Sequence, residues 1–301
     1  VAADLRPEHA PELGEGSQAR ALRVRTPNVC YFALNPNPQI PSVTDADSMV
    51  DNPLADHRLR RAIDLALDRA RIIEVVYRNL GTPAVSMLPP GLLGHPAGFD
   101  PGPIEERRVR ARALVAELPQ PVKIPFHAFE GARAYIPDPQ ALANQVKLQL
   151  AEVGIEVDLR IEPWTQYLEK AKRGVFPFLL IGWQTDNGDP DNFYTPLLGT
   201  NLEGVPSTLN MPKWGDAPFQ LLLAAARGER DRSQRAKLYE QAAVRIREAA
   251  VIAPIAHFTP IWGVRQDVEG FAVHVMGNLL LQQARRSSWA KPPTESGAPA
   301  G

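Results

Sequence analysis

The chain has 301 residues, 44% of them hydrophobic and 22% charged, enough apolar content for one large or two modest globular domains. Its net charge of −1 offers no basic footprint for nucleic acid or an anionic membrane, and no apolar run approaches the roughly 18 residues that a spanning helix requires. A single cysteine, Cys30, excludes an internal disulfide and any metal site built on a cysteine pair.

In chain order, Val1 to Pro7 carry neither the basic nor the apolar region of a secretory leader. Cys30 sits in an apolar run with Val29, Tyr31 and Phe32, which favours a buried, inert thiol over a reactive one. Residues 35–56 are Pro-rich and read as irregular. Their acids Asp45, Asp47 and Asp51 lack metal-site spacing and fit a solvated loop. A helix follows, capped by Asp56 and ended by Gly81, with Leu59, Ala62, Ile63, Ala66, Leu67, Ile73, Val76 and Tyr77 on one broad face. Arg60 inside it reads as a member of a structural ion pair rather than a ligand contact.

Asp138-Pro139 places an N-cap before a proline at the first helical position, and Leu142, Val146, Leu150 and Val153 carry that helix to Gly154. Ile155, Val157, Leu159 and Ile161 alternate as a strand with one covered face. Residues 164–172 read as a short helix, and the apolar run 176–181 as a strand buried on both faces. Two helices, 217–226 and 233–249, and a strand over 251–258 complete an alternating α/β chain. From Ser287 onward Pro, Ser, Gly and Ala dominate, which predicts a disordered tail over 287–301.

The most informative segment is Gly182-Trp183-Gln184-Thr185-Asp186-Asn187-Gly188-Asp189-Pro190-Asp191-Asn192-Phe193, where the buried strand opens into a turn with three carboxylates. Three readings compete. The acids can be solvated turn-formers, since turns use these residue types anyway. A calcium loop counted from Asp189 fails, because its fifth, sixth and twelfth positions are Phe193, Tyr194 and Thr200. The third reading is ligand capture, in which Asp186, nearest the strand, is partly shielded from water and holds a positive group by a charge-assisted hydrogen bond. Asp189 and Asp191 fit loop shaping or helix capping better than ligand contact.

This segment resembles the signature of the dipeptide- and oligopeptide-binding proteins, the extracytoplasmic substrate-binding subunits of ABC importers (solute-binding family 5). Further matches follow the family's order. They are Leu59-Arg60-Arg61-Ala62-Ile63 with Ala66-Leu67-Asp68 and Gly81-Thr82-Pro83-Ala84, and Arg133-Ala134-Tyr135-Ile136-Pro137 before a helix. Two weaker ones are Asn28-Val29-Cys30-Tyr31-Phe32-Ala33-Leu34-Asn35 and Val268-Glu269-Gly270-Phe271. Thr200 and Gly215 stand about where dipeptide binders often carry a disulfide.

The resemblance implies a periplasmic-binding-protein-like type II α/β fold, seen as the C-terminal portion of a longer family member. Residues 1–39 would end a first-lobe segment, 40–256 would form the distal ligand-binding lobe, and 257–286 would return to the first lobe. It further implies an Asp at position 186 that takes a ligand's α-ammonium and an Arg at position 133 that takes its α-carboxylate. A guanidinium suits the second task because it binds a carboxylate with two parallel hydrogen bonds. Arg133 also fits an ordinary surface arginine ahead of a helix. Trp183 and Tyr135 fit two readings equally, walls for the ligand or core aromatics.

The implied partners are a short peptide and the membrane permease of an importer, with no nucleic acid, and the implied state is an extracytoplasmic monomer without cofactor or metal. Oligopeptide, glutathione, nickel-complex and haem binders share the framework, and a truncated remnant that binds weakly or not at all is a further reading. The scattered histidines weigh against nickel, and His257, on an apolar strand, fits a hydrogen-bonded core residue. An enzyme is the remaining alternative. The chain has no Gly-x-Ser-x-Gly, no His-Glu-x-x-His and no phosphate-cradling Gly-rich loop, and Asp186 with Asp189 is weak support for glycosidase-like chemistry.

Overall fold

The computed structural model describes residues 2–5, 7–13, 17–45 and 47–287. The expected tail therefore lies, but for Ser287, outside the described residues. The chain divides into two units, Pro27–Phe258 and a smaller one made of Val1–Thr26 and Thr259–Gly301. In the smaller unit, strand Ile261–Arg265 pairs antiparallel with Ala2–Leu5 on one side and Ala19–Arg23 on the other. Beyond it, Val268–Glu269 pairs with Arg285–Arg286 and Ala272–Val273 with Leu279–Leu280.

The larger unit is built on a six-stranded sheet. Its strands in chain order are β1 (Asn28–Leu34), β2 (Gly81–Pro83), β3 (Val122–Phe129), β4 (Ile155–Glu162), β5 (Phe178–Gln184) and β6 (Ile252–Phe258), and their spatial order is β2-β6-β1-β5-β3-β4. The sheet is mixed. Strand β3 runs parallel to β4 and β5, whereas β1 is antiparallel to β5 and β6, and β6 to β2. Parallel pairs need crossover connections, and helices supply them here. α4 (Pro139–Ala151) links β3 to β4, and α5 (Trp164–Arg173) links β4 to β5.

Central β1 is buried at every residue and β5 over its first five, as the apolar run predicts for a strand covered on both faces. Their rings meet those of β3: Phe126 stacks on Phe178 at 4.2 Å, and Phe32 stands edge-on to both at 5.3 Å. Cys30, fully buried in this layer, is inert as expected, because burial pushes its thiol pKa up to about 12.

Local signals place most helices where the sequence predicts them. The Asp138 carboxylate accepts from the Ala141 amide at 2.9 Å at the start of α4, and Gly154 takes φ +87° just beyond it. Helices α7 (Ala217–Gly228) and α8 (Arg232–Ala249) follow α6 (Asp191–Leu198), and Asp216 and Asp231 cap them.

Several expectations need correction. The helix expected from Asp56 to Gly81 is two, α1 (His57–Ala66) and α2 (Arg69–Val75), because the Asp68 carboxylate accepts from the Arg71 amide and begins a second helix. Gly81 ends no helix. It opens β2, where a Cβ would stand 2.8 Å from the His257 carbonyl oxygen. Arg60 makes no ion pair among the described residues; its guanidinium donates to the carbonyls of Leu54, Ala55 and Ala249 at 2.7 to 3.0 Å.

The 35–56 segment is not wholly irregular. It holds a small hairpin of Gln39–Pro41 with Met49–Asp51, and the Asn52 amide donates to the carbonyls of Asn35 and Asn37 at 2.8 Å. Sequence reasoning missed two elements. α3 (Ile104–Ala116) is rich in arginine and buries Arg107, whose guanidinium donates to the carbonyls of Leu65 and Leu67; β3 carries Pro125 and His127 in mid-strand. Among the described residues no helix is long and apolar enough to cross a membrane.

Candidate functional site

The site forms where β5 ends and residues 185–190 turn into α6. Thr185 Oγ1 accepts from the Gly188 amide at 3.1 Å, and Asn187 Oδ1 accepts from the Asp189 amide at 2.9 Å, so the loop holds its own shape. Of the three acids in the 182–193 segment, two are committed to structure. Asp189 receives both Nη atoms of Arg235, at 2.8 and 2.9 Å, and also accepts from the Asp191 amide. Asp191 accepts from the Thr195 hydroxyl one helical turn on, at 2.7 Å. Asp186 is left over. It is exposed rather than partly shielded, and it makes no ion pair among the described residues.

Asn192, in the first turn of α6, fixes the mouth of this loop. Its Oδ1 accepts from the Trp183 indole N–H at 3.0 Å and from the Asp186 amide at 3.1 Å. One acceptor thereby ties the last aromatic of β5 to the free acid. Sequence reasoning missed this residue because Asn192 reads as one more turn-former.

Arg133 lies in a tight turn closed by reciprocal backbone bonds with Ile136, 2.8 and 2.9 Å long. Its half-buried guanidinium stacks over Trp164, 4.1 Å from the ring centroid, near Phe129 at 5.7 Å, and one Nη donates to the Ala132 carbonyl. It has no carboxylate partner among the described residues. Tyr135 packs against Gly182 of β5, and its carbonyl accepts from the Tyr77 hydroxyl at 3.2 Å. Burial pushes the Tyr135 phenol pKa well above the usual tyrosine range.

These groups converge. Arg133, Tyr135, Trp183 and Asp186 all line one cleft of about 370 Å³, within the size range of small-molecule sites. Tyr135 is both wall and core residue, only 8% exposed. The cleft also takes Tyr31 from β1 and a face of α5 with Trp164, Leu168 and Lys172, none of which sequence reasoning placed in the site. Their spacing of four residues was the available signal, since it puts all three on one helix face. A second cavity of about 50 Å³, beside the Asp64–Arg69 ion pair and Tyr194, has room for a few waters and not for a peptide.

His257 is a buried, hydrogen-bonded core residue whose Nε2 has no hydrogen-bond partner among the described residues. Its Nδ1 donates to the Asn28 carbonyl at 2.7 Å, and burial lowers its pKa to about 4. Among the described residues, no cluster of three or more His, Cys, Asp or Glu could hold a metal ion.

Residues 1–203 match the family of bacterial extracellular solute-binding proteins, family 5 Middle. The dipeptide-binding protein of Escherichia coli (strain K12) is 32% identical over 225 residues, which cover 75% of this chain and 42% of that protein. Heme-binding protein A of Haemophilus influenzae is 31% identical over 225 residues, covering 75% of this chain and 41% of that protein.

Among solved structures, the dipeptide binding protein from Pseudoalteromonas sp. SM9913 in complex with Met-Leu superposes with a TM-score of 0.76 at 25% identity. The match covers 94% of this chain and 53% of that one. HbpA2 from Haemophilus parasuis gives 0.75 at 27% identity, covering 93% and 52%. The chain spans about half the length of the curated relatives it matches. Its fold is that of the periplasmic binding proteins, as the signature segment implied. With the family's sequence pattern matched over two thirds of its length, this chain belongs to the bacterial extracellular solute-binding proteins, family 5.

Proposed function

We propose that the chain is the ligand-binding part of a substrate-binding subunit of an ABC importer, and that it captures dipeptides or short peptides outside the cytoplasm. Asp186 takes the α-ammonium and Arg133 the α-carboxylate, while Trp183 and Tyr135 wall the ligand between them. The observation that carries this reading is that Arg133 and Asp186 line one cleft and neither has an ion-pair partner among the described residues. Opposite charges across a cleft match a zwitterion, and the span between them reads its length. The family is one of binding proteins, which supports capture and release over catalysis. The subunit acts as a monomer that hands its peptide to a membrane permease.

Relatives named for dipeptide and for heme are equally similar, so identity does not choose between these ligands. A carboxylate and a guanidinium that have no ion-pair partners among the described residues favour the peptide. The exposure of Asp186 favours weak binding by this chain alone, since exposed ion pairs contribute only about 0.2–1 kcal/mol each. A weakly binding remnant is therefore the second reading.

Calorimetric titration with a dipeptide mixture, alongside Asp186→Asn and Arg133→Ala, tests both. Binding that each substitution abolishes supports the zwitterion clamp. Heat changes that neither substitution affects would sink it, and no binding by a folded chain would favour the remnant.

A further inference from the structure

The cleft carries two cations against one carboxylate. Arg133 and Lys172 are its basic lining residues and Asp186 its acidic one. Lys172 is reached through α5. Trp164, Leu168 and Lys172 follow at intervals of four and present an aromatic ring, an aliphatic chain and an ammonium along one wall. The ring holds the Arg133 guanidinium by cation–π stacking at 4.1 Å, so the helix that positions the first cation also carries the second.

Lys172 is exposed, and no carboxylate pairs with it among the described residues. The acid at the end of β4, Glu162, is paired with Lys170 on the same helix instead. A simple dipeptide zwitterion would use Asp186 and Arg133 and leave the Lys172 ammonium unmatched.

Building on the proposed zwitterion clamp, we infer that Lys172 is a specificity residue that selects peptides with an acidic side chain. A ligand with one further carboxylate matches the lining charge for charge, and one with a basic side chain meets a like charge across the cleft. Because Lys172 is solvent-accessible, the preference is modest and screened by salt.

Isosteric pairs isolate the charge. ¹⁵N chemical-shift titration of the full chain, which reads affinities down to millimolar, is carried out with Ala-Glu against Ala-Gln and Glu-Ala against Gln-Ala. The same titrations are repeated on Lys172→Gln and Lys172→Glu. The expected result is a roughly two- to fivefold preference for the glutamate peptide in at least one of the two orders, smaller at high salt. That ratio falls to about one in Lys172→Gln and inverts in Lys172→Glu.

Equal affinity for glutamate and glutamine peptides in both orders would overturn the inference, as would a preference that survives in Lys172→Gln. Either result, with dipeptide binding still abolished by Asp186→Asn and Arg133→Ala, leaves the clamp standing and removes only the role of Lys172. Failure of every dipeptide to bind removes both.

Discussion

The ring of Tyr135 lies directly against Gly182, where an added Cβ would fall 2.2 Å from Cδ2 and 2.4 Å from Cγ. Glycine on β5 is thus what lets the aromatic wall of the cleft rest on the sheet. Gly182→Ala is expected to drive the ring outward, destabilise the chain by about 1–3 kcal/mol and narrow the cleft. Urea denaturation measures the first effect and loss of dipeptide binding the second. Unchanged stability would mean that the ring has another resting place.

Asn192 is the shared acceptor for the Trp183 indole and the Asp186 amide. Asn192→Ala leaves both donors without it and should cost about 1–2 kcal/mol. Amide exchange at Asp186 should quicken before α6 responds, and dipeptide affinity should drop with it. Exchange at Asp186 that matches the parent chain would show that the loop shapes itself through Thr185 and Asn187 alone.

His257 predicts a pH dependence of stability. Burial holds its pKa at about 4 against the 6.5 of the free side chain, outweighing the Asn28 carbonyl that favours the charged form. Between those values the unfolded chain binds the proton and the folded chain does not, so stability is full above about pH 6.5 and falls as the pH drops toward 4. The loss amounts to about 3 kcal/mol. His127, held at about 3 chiefly by burial, adds a second loss over a window that reaches lower. Denaturation midpoints at pH 7 and 4.5 check this, and His257→Gln should flatten the slope between them.

Cys30 reports global unfolding. It is fully buried on β1 and its thiol is shifted up to about 12, so the native chain should resist maleimide at neutral pH. Labelling should become complete in denaturant. Rapid labelling of the native state would reveal an opening of the central strand.

Much of this architecture was legible from residues a few positions apart. The cap at Asp138-Pro139, the alternation through Ile155, Val157, Leu159 and Ile161, and the apolar run before Gly182 each act within a turn or a strand. The elements they predict are present. The signature segment offered Trp183 and Asp186 as candidates and the 133–137 motif offered Arg133 and Tyr135, and all four line one cleft. Local physics misled where a second local signal intervened, as at Asp68. It was silent where burial is met by polar groups, as in α3, whose Arg107 is buried against backbone carbonyls.

By itself, the sequence determined the alternating α/β pattern, several of the helix starts and the family. Caps, periodicity and ordered motifs are properties of neighbouring residues. Only the tertiary structure decided which acid of the loop stays free, because Asp189 is taken by Arg235, 46 residues away. It alone set the mixed strand order and brought Trp164 and Lys172 of α5 to the same cleft as Asp186. Such pairings depend on how whole elements pack, and no short stretch of chain encodes the partner it will meet across the fold.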